Sequence, residues 1–116
     1  MPEATIGDTQ MVLYTLNPDG PLDGVPVWTV VSGNGTLLDD PLHPAWDASK
    51  PAGYQMFLVS DTLPDGEAGP VDTAYSVEAD VDLGAGVQHI SEVVTLHVIN
   101  QASSLGGAFG VPQTKP

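Results

Sequence analysis

A chain of 116 residues has the length of one domain and can bury roughly two thirds of the surface it exposes when unfolded. Its hydrophobic content of 41% is too high for intrinsic disorder, and the lack of cysteine excludes both a disulfide framework and a thiolate metal site. Fifteen Asp and Glu stand against two Lys and no Arg, for a formal net charge of −13; nucleic acid and anionic membrane surfaces are excluded as partners, because both demand cations.

Residues 1–8, MPEATIGD, lack the basic region and apolar stretch of a secretory signal, and no apolar run approaches the ~20 residues of a membrane span. They read as an N-terminal extension on a protein that is made and kept in the cytoplasm or leaves by lysis, with no membrane insertion. Beyond them, 13 glycines and 11 prolines leave no window for a 3.6-residue period.

Strand patterns remain. TQMVLYTL (Thr9 to Leu16) places Val12, Tyr14 and Leu16 on one face and ends at the turn cluster NPDGPLDG. VPVWTVV (Val25 to Val31) is β-branched and aromatic, with Pro26 where a strand start tolerates it, and SGNG terminates it. Thr36 to Gly53 is proline-rich and reads as a long irregular connection carrying at most one short strand. YQMFLVS (Tyr54 to Ser60) is the next strand, closed by DTLPDGEAGP.

The cleanest alternation is TAYSVEADVD (Thr73 to Asp82): Tyr75, Val77, Ala79 and Val81 face one way, and Ser76, Glu78, Asp80 and Asp82 the other. VQHISEVVTLHVIN (Val87 to Asn100) follows as one long strand or two short ones. Five or more strands with turn signals and no helix predict an all-β protein, an antiparallel sandwich over residues 9–100. The remaining QASSLGGAFGVPQTKP, residues 101–116, is small and Gly-rich and reads as a flexible C-terminal tail.

Strand spacing decides what the acidic ladder can do. Residues two apart on a strand lie ~6.6–7 Å apart, so Glu78 and Asp82 are separated by roughly 13 Å and cannot share a calcium ion that needs its oxygens at ~2.3–2.6 Å. Read as an EF-hand loop from Asp80, the chain has Gly84 at the fifth ligand position and Ser91 where the bidentate glutamate belongs. The ladder therefore reads as the solvated face of a strand that exits through Gly84 and Gly86.

Other chemistry is sparse. His43, His89 and His97 lack the spacing of a zinc protease site and read as surface or rim residues. No G-x-S-x-G occurs, and SGNGTLL has neither the lysine nor the helix start of a phosphate loop. The expectation is a protein that is not an enzyme and holds no metal or cofactor. Trp28, mid-strand among valines, reads as core. Trp46, near His43 and Tyr54, either pins the long loop to the sheet or presents its face to a glycan. In the tail, Leu105, Phe109 and Val111 are spaced to suit an extended segment laid into a groove, and Lys115 is accompanied by no acid.

LDGVPVWTVVSGNG followed by VEADVDLGAGVQHISEVVTLHV resembles bacterial immunoglobulin-like (Big-like) domains as found in phage structural proteins, in which a DG-x-P-x-W strand, an ADADLGxG strand end and a final VTLxV strand recur in that order. Asp23, Gly24, Pro26 and Trp28 match the first element, and Ala79, Asp80, Asp82, Leu83, Gly84 and Gly86 the second. The proline-rich stretch from Leu37 to Ala52 departs from the short strand usual there. The resemblance implies an immunoglobulin-like β-sandwich of about seven strands and a non-enzymatic decoration or structural role in a virion, bound to a capsid or tail protein and assembled in the host cytoplasm. Leu105, Phe109, Val111, Trp46 and His43 are the candidate partner-binding residues. The alternative is a carbohydrate- or cell-surface-binding module of a secreted bacterial adhesin, with a host-surface glycan as partner.

The ladder geometry has a direct thermal test. Unfolding in excess chelator and in millimolar calcium, at fixed ionic strength, is expected at one and the same temperature; a calcium-specific rise in Tm makes Asp80 and Asp82 ligands.

Overall fold

Seven segments form strands in the computed structural model, which describes residues 2–102 and 104–116. They are β1 (Glu3–Gly7), β2 (Met11–Thr15), β3 (Val27–Ser32), β4 (Thr36–Leu38), β5 (Gln55–Val59), β6 (Val71–Asp82) and β7 (Val87–Ile99). No helix occurs among the described residues. One sheet has the order β1-β7-β6-β3 and the other β2-β5-β4.

The alternation that begins near Thr73 generates the longest pairing in the protein. Antiparallel β6 and β7 run in register from Val71 opposite Val98 to Asp82 opposite Val87, without a bulge. Odd-numbered residues of β6 and even-numbered residues of β7 then share the inner face. Tyr75, Val94, Leu96 and Val98 from this face meet Leu58 of β5 and Leu63 of the following loop to form the buried core. Ile6, Val12, Tyr14, Trp28, Val30, Leu37, Met56 and Val71 pack around that cluster, so both sheets contribute to one interior.

Residues 1–8, expected as an extension, contain β1. It lies parallel to the end of β7, with Glu3 opposite Thr95 and Gly7 opposite Ile99, and Asp8 N donates to Ile99 O at 3.0 Å. EATIG is too short for alternation to stand out, yet β7 offers it an unpaired edge, and Ile6 packs on the core. The larger sheet is thus mixed rather than wholly antiparallel. The opposite edge is β3, where the register shifts between Val30 and Ser32 and leaves Val31 as the bulged residue. A bulge on an edge strand spoils the flat hydrogen-bonding row that another strand would copy.

A polar plug closes the core beneath the turn from β3 to β4. Buried Asp61 accepts hydrogen bonds at Oδ2 from Thr73 Oγ1 (2.8 Å) and Asn34 N (3.0 Å), and its Oδ1 has no partner. Tyr75 donates to Val59 O at 2.6 Å, and burial together with the nearby Asp61 charge pushes its phenol up to about 12. Gly33 has φ +82, and a Cβ at Gly35 would collide with the Tyr75 hydroxyl; the SGNG turn needs glycine at both positions.

Trp28 sits at the margin of the core and not at its centre, which belongs to Tyr75. Its indole N–H donates to Gly53 O at 2.9 Å, and its ring meets Tyr14 edge-on at 6.1 Å, joining the two sheets. Replacing Trp28 with alanine is expected to cost about 3 kcal/mol, clearly more than Trp46→Ala, as read from chemical-denaturation midpoints. The reverse order would mean that the long loop, not the Tyr14–Trp28 contact, holds the sheets together.

Candidate binding groove and C-terminal arm

The long connection after β4 is folded onto the outer face of β5. Phe57 points away from the core, yet it is only 3% exposed because His43 and Trp46 cover it, with ring centroids 4.7 and 5.9 Å away. On the same face, the Gln55 side-chain amide acts as a substitute strand. Its Oε1 accepts from Asp47 N (3.0 Å) and its Nε2 donates to Asp47 O (2.7 Å). Asp47 Oδ1 in turn accepts from Ser49 N and Oγ, bonds that hold its carboxyl below the usual carboxylate range. His43 and Trp46 are therefore brought together, but with their rings turned to Phe57.

The acidic ladder runs along the outer face of β6 and meets histidines across the strand pair. Asp80 stands opposite His89, and Asp72 opposite His97. His89 Nδ1 lies 2.8 Å from Asp80 Oδ1, and its Nε2 lies 3.6 Å from Glu78 Oε1. His97 Nδ1 lies 2.6 Å from Asp72 Oδ1, and its Nε2 lies 3.7 Å from Glu3 Oε1. Asp82 Oδ1 accepts from Gly84 N at 2.8 Å, so this acid closes the turn into β7. Among the described residues, no group of three or more His, Asp and Glu is arranged to hold a metal ion.

Unequal strand lengths open a concavity at one end of the larger sheet. β6 and β7 have 12 and 13 residues, whereas the facing strands β2, β4 and β5 have five, three and five. The β6–β7 hairpin therefore overshoots the smaller sheet. Its uncovered inner face is walled by residues 15–22, which are tied down where Asp82 N donates to Pro21 O (2.9 Å) and Asp23 N donates to Asp80 O (2.8 Å). A groove of about 400 Å³ results. Tyr14, Leu22, Val77, Val81, Leu83 and Ile90 supply its apolar surface, and Asp19 and Glu92 its carboxylates. Tyr14 donates a long hydrogen bond to Glu92 (3.4 Å); burial and then that carboxylate push its phenol up.

The arm leaves from the opposite pole. Gln101 is fastened over Gly7, where any Cβ would collide with it, and Thr9 Oγ1 donates to Gln101 Oε1 at 2.8 Å. Beyond that root the described residues have no strand or helix. Leu105 and Phe109 are fully exposed, and Val111 is nearly so. The described chain extends 87 Å along its longest axis, against ~43 Å for a 13-residue strand such as β7.

Reading the sequence brought out the arm residues and the His43–Trp46 pair but missed the groove. Its signal was present: the alternation Tyr75, Val77, Ala79, Val81 continues farther than any other strand pattern has partners to cover. No protein-family model matches this chain, and neither a curated protein nor a solved structure matches it.

The cross-strand histidines carry a pH prediction. Donating hydrogen bonds to Asp80 and then Glu78 raises His89 above its ordinary value, and donating one to Asp72 raises His97. A raised folded-state value means stability that is fully present below ~6.5 and lost as pH climbs through the folded-state value. An NMR titration of the imidazole protons is expected to give midpoints above ~6.5 for both rings. Asp80→Asn should lower the His89 midpoint and leave that of His97 in place.

Proposed function

We propose that this protein is a non-enzymatic structural or decoration protein of a phage particle, built on an immunoglobulin-like sandwich and attached to a capsid or tail protein through residues 101–116. The observation that carries the reading is the arm. Leu105, Phe109 and Val111 stand exposed on a segment that contributes nothing to the core, and exposed apolar side chains of this kind mark binding segments. Such segments order on docking, exchanging chain entropy for apolar and main-chain contacts.

Two features add support. The motif order through Asp23, Gly24, Pro26 and Trp28 to Ala79, Asp80 and Asp82 resembles bacterial immunoglobulin-like domains of phage structural proteins. The chain's excess of acid lies wholly outside the arm, which holds Lys115 alone, so the arm is the segment least repelled by an acidic neighbour. A glycan platform is not favoured: His43 and Trp46 spend their rings on Phe57.

Deleting residues 101–116 is expected to leave cooperative unfolding intact and to abolish co-sedimentation with particles. Undiminished attachment would move the contact to the sandwich, and loss of folding would make the arm part of the core.

A further inference from the structure

The groove and the arm fit each other, and they lie at opposite poles of the chain. The groove sits where β7 begins, at Gln88, Ile90 and Glu92, and the arm starts after Asn100, ~33 Å farther along the strand. Leu105, Phe109 and Val111 are all odd-numbered, so an extended arm presents them on one face, spread over ~20 Å. The groove floor, Val77 through Ala79 and Val81 to Leu83, is an inner face of the same parity and also spans ~20 Å. An apolar cavity of ~150 Å³ takes up a benzene, so about 400 Å³ accommodates the Phe109 ring with a neighbouring aliphatic side chain.

Charge selects the occupant. Asp19 and Glu92 border the groove, and a chain with net charge −13 repels most acidic segments. The arm bears a cation and no acid, and it is long enough to keep two bodies separated by more than the ~8–10 Å screening length while Phe109 is seated.

We infer that the groove between the β6–β7 hairpin and residues 15–22 is the acceptor for the C-terminal arm of a second copy of this chain, with Phe109 as the anchor and Lys115 directed toward the acidic rim. The interface is heterologous, donor on one copy and acceptor on the next, so it propagates as an open chain or closes as a ring. The inference rests on the arm being a docking segment and names its partner.

Sedimentation velocity on the full chain tests it without any particle, so failure here leaves arm-dependent particle attachment untouched. The wild type is expected to self-associate with rising concentration. Phe109→Ala, which removes an exposed ring that the fold does not use, should weaken association at least tenfold, and Ile90→Glu, at an exposed position in the groove, should do the same with cooperative unfolding retained. Glu92→Lys provides a second groove variant should Ile90→Glu unfold. Each defective variant alone should be monomeric. Mixing the two should restore association but stop it at a heterodimer, because one supplies the only sound groove and the other the only sound arm. A wild type that stays monomeric at every concentration, a Phe109→Ala protein that associates like the wild type, or a mixture that remains monomeric would each overturn the proposal.

Discussion

The uninterrupted pairing of β6 with β7 is the constraint on which the rest of the molecule depends. It is the longest antiparallel pair among the described residues, and it supplies both central strands of the larger sheet, so β1 and β3 exist as strands because β7 and β6 offer them edges. It also assigns every side chain of 25 residues to a face. A slip of one residue would turn the apolar row of one strand away from that of the other, parting Tyr75 from Val94, Leu96 and Val98 and setting Asp72 and Asp80 on the face that those three share. The burial of an intact apolar row on one face makes that slip prohibitive, and the same register places a histidine opposite an acid twice on the other face.

What the pairing cannot do is fill the space opposite it. The smaller sheet is made from short strands separated by proline- and glycine-rich connections, and it covers only the half of the hairpin nearest Leu58. At the covered end the packing is dense, with the Asp61 plug sealing the turn above Tyr75. At the other end the inner face continues without a facing strand, and the chain compensates by drawing residues 21–23 alongside β6. The groove is thus a consequence of unequal strand lengths rather than of any special residue.

That origin explains which parts of the protein could be read from its sequence. The period-two pattern in Thr73 to Asp82 dominates its neighbourhood, and β6 follows it closely; β2 and β5 lie within the segments that their β-branched and aromatic content marks out, and β3 runs one residue past its segment, to Ser32. β1 escapes such reading because five residues with one large apolar side chain carry no period, and its existence depends on an edge that pairs Glu3 with Thr95, far along the chain. Asp61, in DTLPDG, looks like a turn residue and becomes a buried acceptor only when Thr73 and Asn34 converge on it. Phe57 and Gln55 alternate with core-facing Met56 and Leu58, so their burial on the outer face depends wholly on where the loop lies. The candidate site divides along the same line. The exposed arm residues are legible because nothing local explains them, whereas the groove involves three separate segments and has no local signature.

The way the loop after β4 is held has a consequence for how this scaffold can change. Its attachment to β5 comes down to two rings on Phe57 and the paired hydrogen bonds between Gln55 and Asp47, while Pro41, Leu42, Ala48 and Ala52 remain exposed between those anchors. No strand pairing constrains the residues in between. Sequence there is free to drift, lengthen or acquire new surface chemistry without disturbing the register of either sheet, provided the anchors persist. The loop is the region in which variants of this domain can diverge most cheaply, and the natural place to graft a foreign epitope for display.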